Sequence, residues 1–150
     1  MSFMGLENHD DAKRNDAFKK AVHLLSTDGL DGATMVVDRE LDRDPESWEA
    51  WAAKADILYF QGMHRSSLQC CERSLDLNPD NALAWNTKGN VLYKMSRYGE
   101  AIESYSRAIE IEPLFVKAWY NKKLALEIHL DRTRPKIAYL NNGKKRQKSR

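Results

Sequence analysis

The stretch AWNTKGNVLYKMSRYGEAIESYSRAIEIEP, residues 84–113, decides the fold of this chain. Apolar residues recur at helical spacing in both of its halves, so it reads as two helices joined by a turn at MSRYGE. Pro113 ends the second helix, because proline lacks the N–H that a further helical turn would need. Gly89 stands inside the first helix, where glycine costs roughly 1 kcal/mol relative to alanine. We therefore expect that the packing around Gly89 requires the absence of a side chain.

The same pattern recurs with a period of 34 residues, because residues 48–81 align with residues 82–115 without a gap. Seven positions are identical in the two units: Ala50/Ala84, Trp51/Trp85, Lys54/Lys88, Leu58/Leu92, Tyr59/Tyr93, Arg73/Arg107 and Pro79/Pro113. The frame continues forward to Trp119 and, more faintly, backward to Ala33 and Pro45. Self-similarity at a fixed period of this length indicates stacked copies of one structural unit. The sequence therefore predicts an all-α stack of helical hairpins.

Small residues occupy positions where the two helices of a unit must touch. The eighth residue of successive units is Ala21, Ala55 and Gly89. Side chains this small allow two helix axes to approach closely, and we expect Cys71 or Tyr105 to fill the space between them. Gly89 thus gives up helix propensity for close packing.

These positions resemble the tetratricopeptide repeat, whose pattern combines an early Trp, small residues at the helix contacts, an aromatic residue and a closing Pro. Residues 82–115 match it at Trp85, Gly89, Ala101, Tyr105, Ala108 and Pro113. Residues 48–81 match at Trp51, Ala55 and Pro79, with Ser67, Cys71 and Ser74 at the remaining positions. Residues 14–47 form a degenerate unit, which has Ala17 in the place of the Trp.

The resemblance implies a right-handed α-α superhelix of about seven helices. Its parts are a flexible N-terminus (1–11), a repeat domain (12–130) with units 14–47, 48–81 and 82–115 and a capping helix 116–130, and a basic tail (131–150) with room for a short helix near 135–141. The fourth unit is interpreted as a cap because Lys123 occupies the small position, where it prevents tight packing of a second helix.

Composition and motifs exclude several classes of protein. No apolar run approaches the roughly 18 residues of a membrane span, and no secretory signal is visible at the start. The adjacent Cys70 and Cys71 read as reduced thiols, which favours the cytoplasm. The four histidines lack metal-ligand spacing, and no glycine-rich phosphate loop is present. We therefore expect no enzymatic activity, no cofactor, no metal and no membrane.

A binding surface remains, and the resemblance implies that the first helix of each unit lines a concave groove. The predicted groove residues are Asp56, Tyr59, Phe60, Asn86, Asn90, Tyr93, Lys94, Lys117, Tyr120 and Asn121. Asparagine can both donate to and accept from a peptide backbone, and we expect Asn90 and Asn121 to face solvent in the free protein. The predicted function is a non-catalytic adaptor or scaffold that binds a peptide segment of a partner protein. The alternative is that these residues form only a solvated face of the stack.

A more specific function within the family is not supported. Some members hold the C-terminal carboxylate of heat-shock chaperones with sets of basic and asparagine residues. Asn90 and Asn121 match two of the asparagine positions, but Asn86 stands where a lysine is required. In the other frame the required positions hold apolar residues or Thr87.

The charge distribution suggests a second class of partner. Residues 131–150 contain eight basic residues and one acid, whereas residues 1–130 contain 16 basic and 21 acidic residues. Lys144, Lys145, Arg146, Lys148 and Arg150 therefore form a candidate polyanion-binding tail. The alternative function is a nucleic-acid- or ribosome-associated factor that contacts phosphates through this tail.

Overall fold

A computed structural model describes residues 29–134, and all regular secondary structure within this range is helical. The helices are α1 (Gly29–Arg43), α2 (Trp48–Phe60), α3 (His64–Leu77), α4 (Ala82–Lys94), α5 (Tyr98–Ile111) and α6 (Val116–Thr133). α2 and α3 form the hairpin of unit 48–81, and α4 and α5 form that of unit 82–115. α1 follows the turn of unit 14–47, and the first helix expected in that unit lies outside the described residues. The predicted helical stack is confirmed.

Side-chain hydrogen bonds cap the start of α2 and α4, and a left-handed residue lies in the turn of each hairpin. The side chains of Ser47 and Asn81 accept hydrogen bonds from the amides of Ala50 and Ala84 at 3.2 Å, which caps α2 and α4. The turns use a left-handed residue at equivalent positions, Gly62 with φ 76° and Ser96 with φ 62°. Glycine adopts this conformation without a Cβ penalty, whereas Ser96 bears one.

The Trp and the Pro of the repeat are joined by a hydrogen bond that recurs through the stack. The indole Nε1 of Trp51 donates to the carbonyl of Pro45 at 2.8 Å, and Trp85 donates to Pro79 at 2.8 Å. Trp119 makes the same bond to Pro113 at 2.9 Å. The residue that ends one unit therefore anchors the first helix of the next unit.

Close packing within each hairpin explains Gly89. A Cβ on Gly89 would lie 2.5 Å from Cε1 and 2.6 Å from Cδ1 of Tyr105, which is fully buried. In the preceding unit, Ala55 packs against the smaller Cys71, and the buried Ser67 hydroxyl donates to the Ala55 carbonyl at 2.6 Å. The expectation that Gly89 makes room for Tyr105 is confirmed.

The helices form a curved array with the first helix of each unit on the inner side. α2 contacts α4 and α4 contacts α6, whereas α3 and α5 have no contact with each other. The second helices therefore diverge, which makes the face of α2, α4 and α6 the concave one. α6 is the last helix of the described residues, with Ala118 and Ala125 buried against α5 and α4. No helix within residues 29–134 is long and apolar enough to cross a membrane.

Candidate functional site

The concave face contains a groove with a volume of about 690 Å³. Its walls come from the second half of α2, the first half of α4, the connection between α5 and α6, and the start of α6. The residues that line it are Asp56, Phe60, Leu83, Asn86, Thr87, Asn90, Glu112, Leu114, Phe115, Val116, Lys117, Tyr120 and Asn121. The groove thus joins side chains from three successive helical layers.

A carboxylate lies on the α2 side of the groove. The hydroxyl of the buried Thr87 on α4 donates to Oδ1 of Asp56 at 2.7 Å. Burial raises the pKa of Asp56 from its ordinary 3.8 to about 6, and the hydrogen bond from Thr87 opposes that rise. Asp56 is therefore an acid that is poorly solvated when ionised.

Three asparagines connect α4 to α6. The Nδ2 of Asn121 donates to Oδ1 of Asn86 at 3.2 Å and to Oδ1 of Asn90 at 3.0 Å. Asn90 Oδ1 also accepts from the hydroxyl of Tyr105 on α5 at 2.9 Å. The expectation that Asn90 and Asn121 face solvent is wrong, because both are partly buried and joined in this network. The network forms because α6 brings Asn121 over the asparagines of α4.

The asparagine network leaves hydrogen-bonding capacity unused. Within residues 29–134, no partner is found for the amide nitrogens of Asn86 and Asn90 or for Oδ1 of Asn121. Each amide nitrogen can donate and the carbonyl oxygen can accept. The groove therefore offers both types of group that a peptide backbone needs.

Large apolar side chains surround these polar groups at the margin of the groove. Phe60 is 66% exposed, Tyr120 60%, Val116 75% and Leu114 88%. Exposed apolar residues that cluster beside polar groups mark a binding surface more often than a bare solvated face. The arrangement can bury apolar side chains of a ligand while it satisfies the ligand's polar groups.

Seven of the ten residues predicted from the resemblance line this groove, namely Asp56, Phe60, Asn86, Asn90, Lys117, Tyr120 and Asn121. Tyr59, Tyr93 and Lys94 do not line it. Tyr93 packs edge-to-face on Tyr98 across the turn at 5.3 Å, and Tyr59 lies 6.0 Å from the ring of His64 at the equivalent place. Both tyrosines therefore contact the turn of their own hairpin. Whether any of the ten binds a ligand stays a prediction.

The connection between α5 and α6 supplies lining residues that sequence reasoning missed. Glu112, Leu114 and Phe115 line the groove although they follow the second helix of their unit, and Val116 lines it at the start of α6. The available signal was the apolar run Leu114–Val116 directly after the helix-ending Pro113, where a solvent-exposed turn would normally be polar.

Other candidate chemistry is sparse in the described part of the chain. Residues 29–134 contain no group of three or more His, Cys, Asp or Glu side chains that could hold a metal ion. Cys70 and Cys71 are free and buried, and burial raises the pKa of both thiols, which disfavours the reactive thiolate. The predicted polyanion-binding tail, from Lys144 to Arg150, lies outside the described residues.

Comparisons with known proteins place the repeat in a family. Models of the tetratricopeptide repeat match residues 49–81 and residues 82–114, which are the two hairpins that the structure describes in full. Among curated proteins, no sequence matches the chain significantly.

Solved structures share the fold. The first TPR of Spaghetti (RPAP3), bound to the HSP90 peptide SRMEEVD, is 18% identical with a TM-score of 0.70, and the match covers 75% of this chain and 89% of that one. The Sgt2 TPR domain from Aspergillus fumigatus is 16% identical with a TM-score of 0.75, over 82% of this chain and 83% of that one. A Thermobaculum terrenum O-GlcNAc transferase mutant is 21% identical with a TM-score of 0.73, over 81% of this chain but 23% of that one.

At these identities the likeness concerns the fold alone. It agrees with the family matches and with the Trp–Pro bonds, the small residue at the hairpin contact and the concave array of first helices. The chain contains two tetratricopeptide repeats, at residues 49–81 and 82–114.

Proposed function

We propose that this protein is a non-catalytic adaptor whose groove holds a peptide segment of a partner protein. The observation that carries the proposal is the combination, in one groove, of exposed apolar side chains with amide groups that lack partners within residues 29–134. A bound segment needs both, because its side chains must leave water and its backbone polar groups must remain hydrogen-bonded.

The geometry favours a segment that runs across the helices. Phe60 lies on α2 and Tyr120 lies on α6, so they stand on opposite sides of the asparagines of α4. Aromatic anchors of this kind dominate binding energy where they become buried. The asparagine amides between them would bind the backbone of the segment.

A similar protein supports peptide as the class of ligand. The first TPR of Spaghetti (RPAP3) was solved with an HSP90 peptide bound, and its fold matches over 75% of this chain. The likeness to the O-GlcNAc transferase mutant gives little support for catalysis here, because the match covers 23% of that chain. The cytoplasm stays our predicted compartment, on the ground of two unpaired thiols.

The test is affinity purification of partners from the source cell with matched variants of the full chain. Phe60→Ala/Tyr120→Ala removes both anchors from the groove. Met35→Ala/Met63→Ala is the control, because these side chains are also large, apolar and at least half exposed but do not line the groove. We expect the control to retain the partner and the groove variant to bind it about tenfold or more weakly. Equal loss or equal retention in the two variants would place the binding surface elsewhere.

A further inference from the structure

The groove contains one charged side chain below its margin. Of the three charged residues that line it, Glu112 and Lys117 are exposed, whereas Asp56 is partly buried. Thr87 donates to Oδ1 of Asp56, and no hydrogen bond to Oδ2 is found within residues 29–134. A carboxylate has lone pairs for about four hydrogen bonds, so most of its accepting capacity is unused.

We propose that the groove selects a peptide segment with a Lys or Arg side chain that pairs with Asp56, flanked by apolar residues that contact Phe60 and Tyr120. The proposal rests on the proposed peptide-binding function and adds the chemistry of the ligand. The charge complementarity argues for this occupant, because a cation is the group that an under-solvated carboxylate lacks.

Burial makes the ionised form of Asp56 less stable, which raises its pKa. Desolvation raises the pKa of Asp56 to about 6, so the carboxylate is mostly ionised at neutral pH but weakly stabilised. A basic ligand side chain would stabilise the ionised form, whereas a ligand carboxylate at the same place would be repelled.

Within residues 29–134, no basic side chain forms an ion pair with the Asp56 carboxylate. Lys54 of α2 pairs with Asp38 of α1 at 2.9 Å, and Lys88 of α4 pairs with Glu72 of α3 at 3.5 Å. The Cys71 thiol of α3 is close enough for Asp56 to raise its pKa further, and it therefore stays neutral. The exposed Lys117 forms no ion pair with Asp56 either, so a basic side chain of the ligand would be the first cation to pair with Asp56 in this part of the chain.

The experiment begins with selection from a displayed library of random peptides on the immobilised full chain. Parallel selections use Asp56→Asn, which removes the charge but keeps an acceptor for Thr87, and Asp76→Asn as a control. Asp76 is exposed on the second helix α3 and does not line the groove. We expect the parent chain and Asp76→Asn to enrich peptides with a fixed Lys or Arg beside apolar residues, and Asp56→Asn to lose that fixed position.

A double-mutant cycle then assigns the contact. The enriched peptide is compared with a version whose basic residue is replaced by norleucine, on the parent chain and on Asp56→Asn. We expect the replacement to weaken binding to the parent about tenfold or more, and binding to Asp56→Asn by less than about threefold. Equal losses on both proteins would overturn the pairing with Asp56.

The pH dependence gives an independent readout. Asp56 can pair with a cation only when it is ionised, and with a pKa of about 6 it is mostly protonated at pH 5. The affinity of the parent for the Lys peptide should therefore fall about tenfold between pH 7.5 and pH 5. The same peptide should show a much smaller change on Asp56→Asn. An identical pH profile for the two proteins would contradict the proposal.

The remaining outcomes separate this inference from the function on which it rests. Enriched peptides that lose binding with Phe60→Ala/Tyr120→Ala but have no basic preference would leave the groove function standing and overturn the inference. Binding of the acidic peptide SRMEEVD with equal strength would also overturn it. If no peptide is enriched, both proposals fail.

Two other occupants of the groove are tested with the same proteins. Peptide binding that appears only after removal of residues 141–150 would assign the groove to this chain's own basic segment. A concentration-dependent dimer in light scattering that Asp56→Asn abolishes would assign it to a second copy. Either result would overturn the proposal of a separate basic partner.

Discussion

Asp56 is an acid whose native surroundings favour its neutral form. Its pKa rises from 3.8 to about 6 on folding, so the folded protein binds this proton more tightly than the unfolded chain does. The stability that this proton provides is present below about pH 4 and is lost as the pH rises through about 6. A group that costs stability at neutral pH and lies in a groove is typical of a binding site.

Asp56→Asn should therefore stabilise the protein at pH 7.5 by on the order of 1–2 kcal/mol, since it removes an ionised group that burial disfavours. The difference from the parent should shrink towards zero near pH 3, which lies below the pKa of Asp56 in both the folded and the unfolded state. Urea unfolding of both proteins at the two pH values measures this, with Asp76→Asn as the control. A variant less stable than the parent at pH 7.5 would show that the carboxylate is stabilising.

Asn90 is a structural residue as well as a candidate ligand contact. Its Oδ1 accepts from the hydroxyl of Tyr105, a residue that is 2% exposed. Asn90→Ala should lower the free energy of unfolding by about 1–3 kcal/mol, because it leaves that hydroxyl without its acceptor. Adding Tyr105→Phe, which removes the hydroxyl, should cost less in the Asn90→Ala background than in the parent. Additive losses in chemical denaturation would contradict a direct bond.

At the scale of the helical element, the pair Gly89 and Tyr105 replaces the pair Ala55 and Cys71 of the preceding unit. In one hairpin the first helix contributes no side chain and the second a large one, whereas in the other both helices contribute small side chains. Because a protein interior is close-packed, neither member of a pair can change size alone without cost.

Gly89→Ala should destabilise the protein by about 1–3 kcal/mol, although alanine is the better helix former, because the new methyl group meets the Tyr105 ring. The double variant Gly89→Ala/Tyr105→Cys copies the pair of the preceding unit and should lose less than the sum of its single changes.

Gly99→Ala is the control in the same hairpin, since a Cβ on Gly99 would meet only Cε1 of His129, at 3.7 Å. We expect no loss of stability there. Thermal melts of the parent and of the four variants, Tyr105→Cys included, provide the measurement. A Gly89→Ala variant as stable as Gly99→Ala would contradict the close-packing explanation.

At the scale of the whole molecule, we expect α6 to cap the array of helices. Ala118 and Ala125 cover Ile109 and Tyr105 of the preceding helix. Stacked repeats need a terminal element that shields the last apolar face from water.

Truncation after Pro113 should therefore expose Ile102, Tyr105 and Ile109 and cause aggregation. A chain that ends at residue 134 retains α6 and is the matched control, for which we expect a cooperative melt. Light scattering and thermal melts distinguish the two. A soluble 1–113 fragment that melts cooperatively would contradict the role of α6 as a cap.

Much of this molecule could be predicted from the sequence because repeat proteins are built from local order. The spacing of apolar residues defines each helix, and the recurrence of Trp51, Trp85 and Trp119 defines the unit. The missing side chain at Gly89 indicated a close helix contact before the contact was known. Helix periodicity and helix-ending residues act over a few positions, so they are readable from the chain itself.

Only the tertiary structure decided how the groove is organised. The bond from Thr87 to Asp56 and that from Asn121 to Asn90 each span 31 residues, and they appear only when successive units stack. The packing of α5 on α4 within one hairpin turns Asn90 from an expected solvent-facing residue into a partner of Tyr105. The local pattern fixes which face of each helix is apolar, but the environment of a polar side chain depends on the angle and distance between helices. Many packing contacts together set that geometry, so no single residue of the sequence determines it.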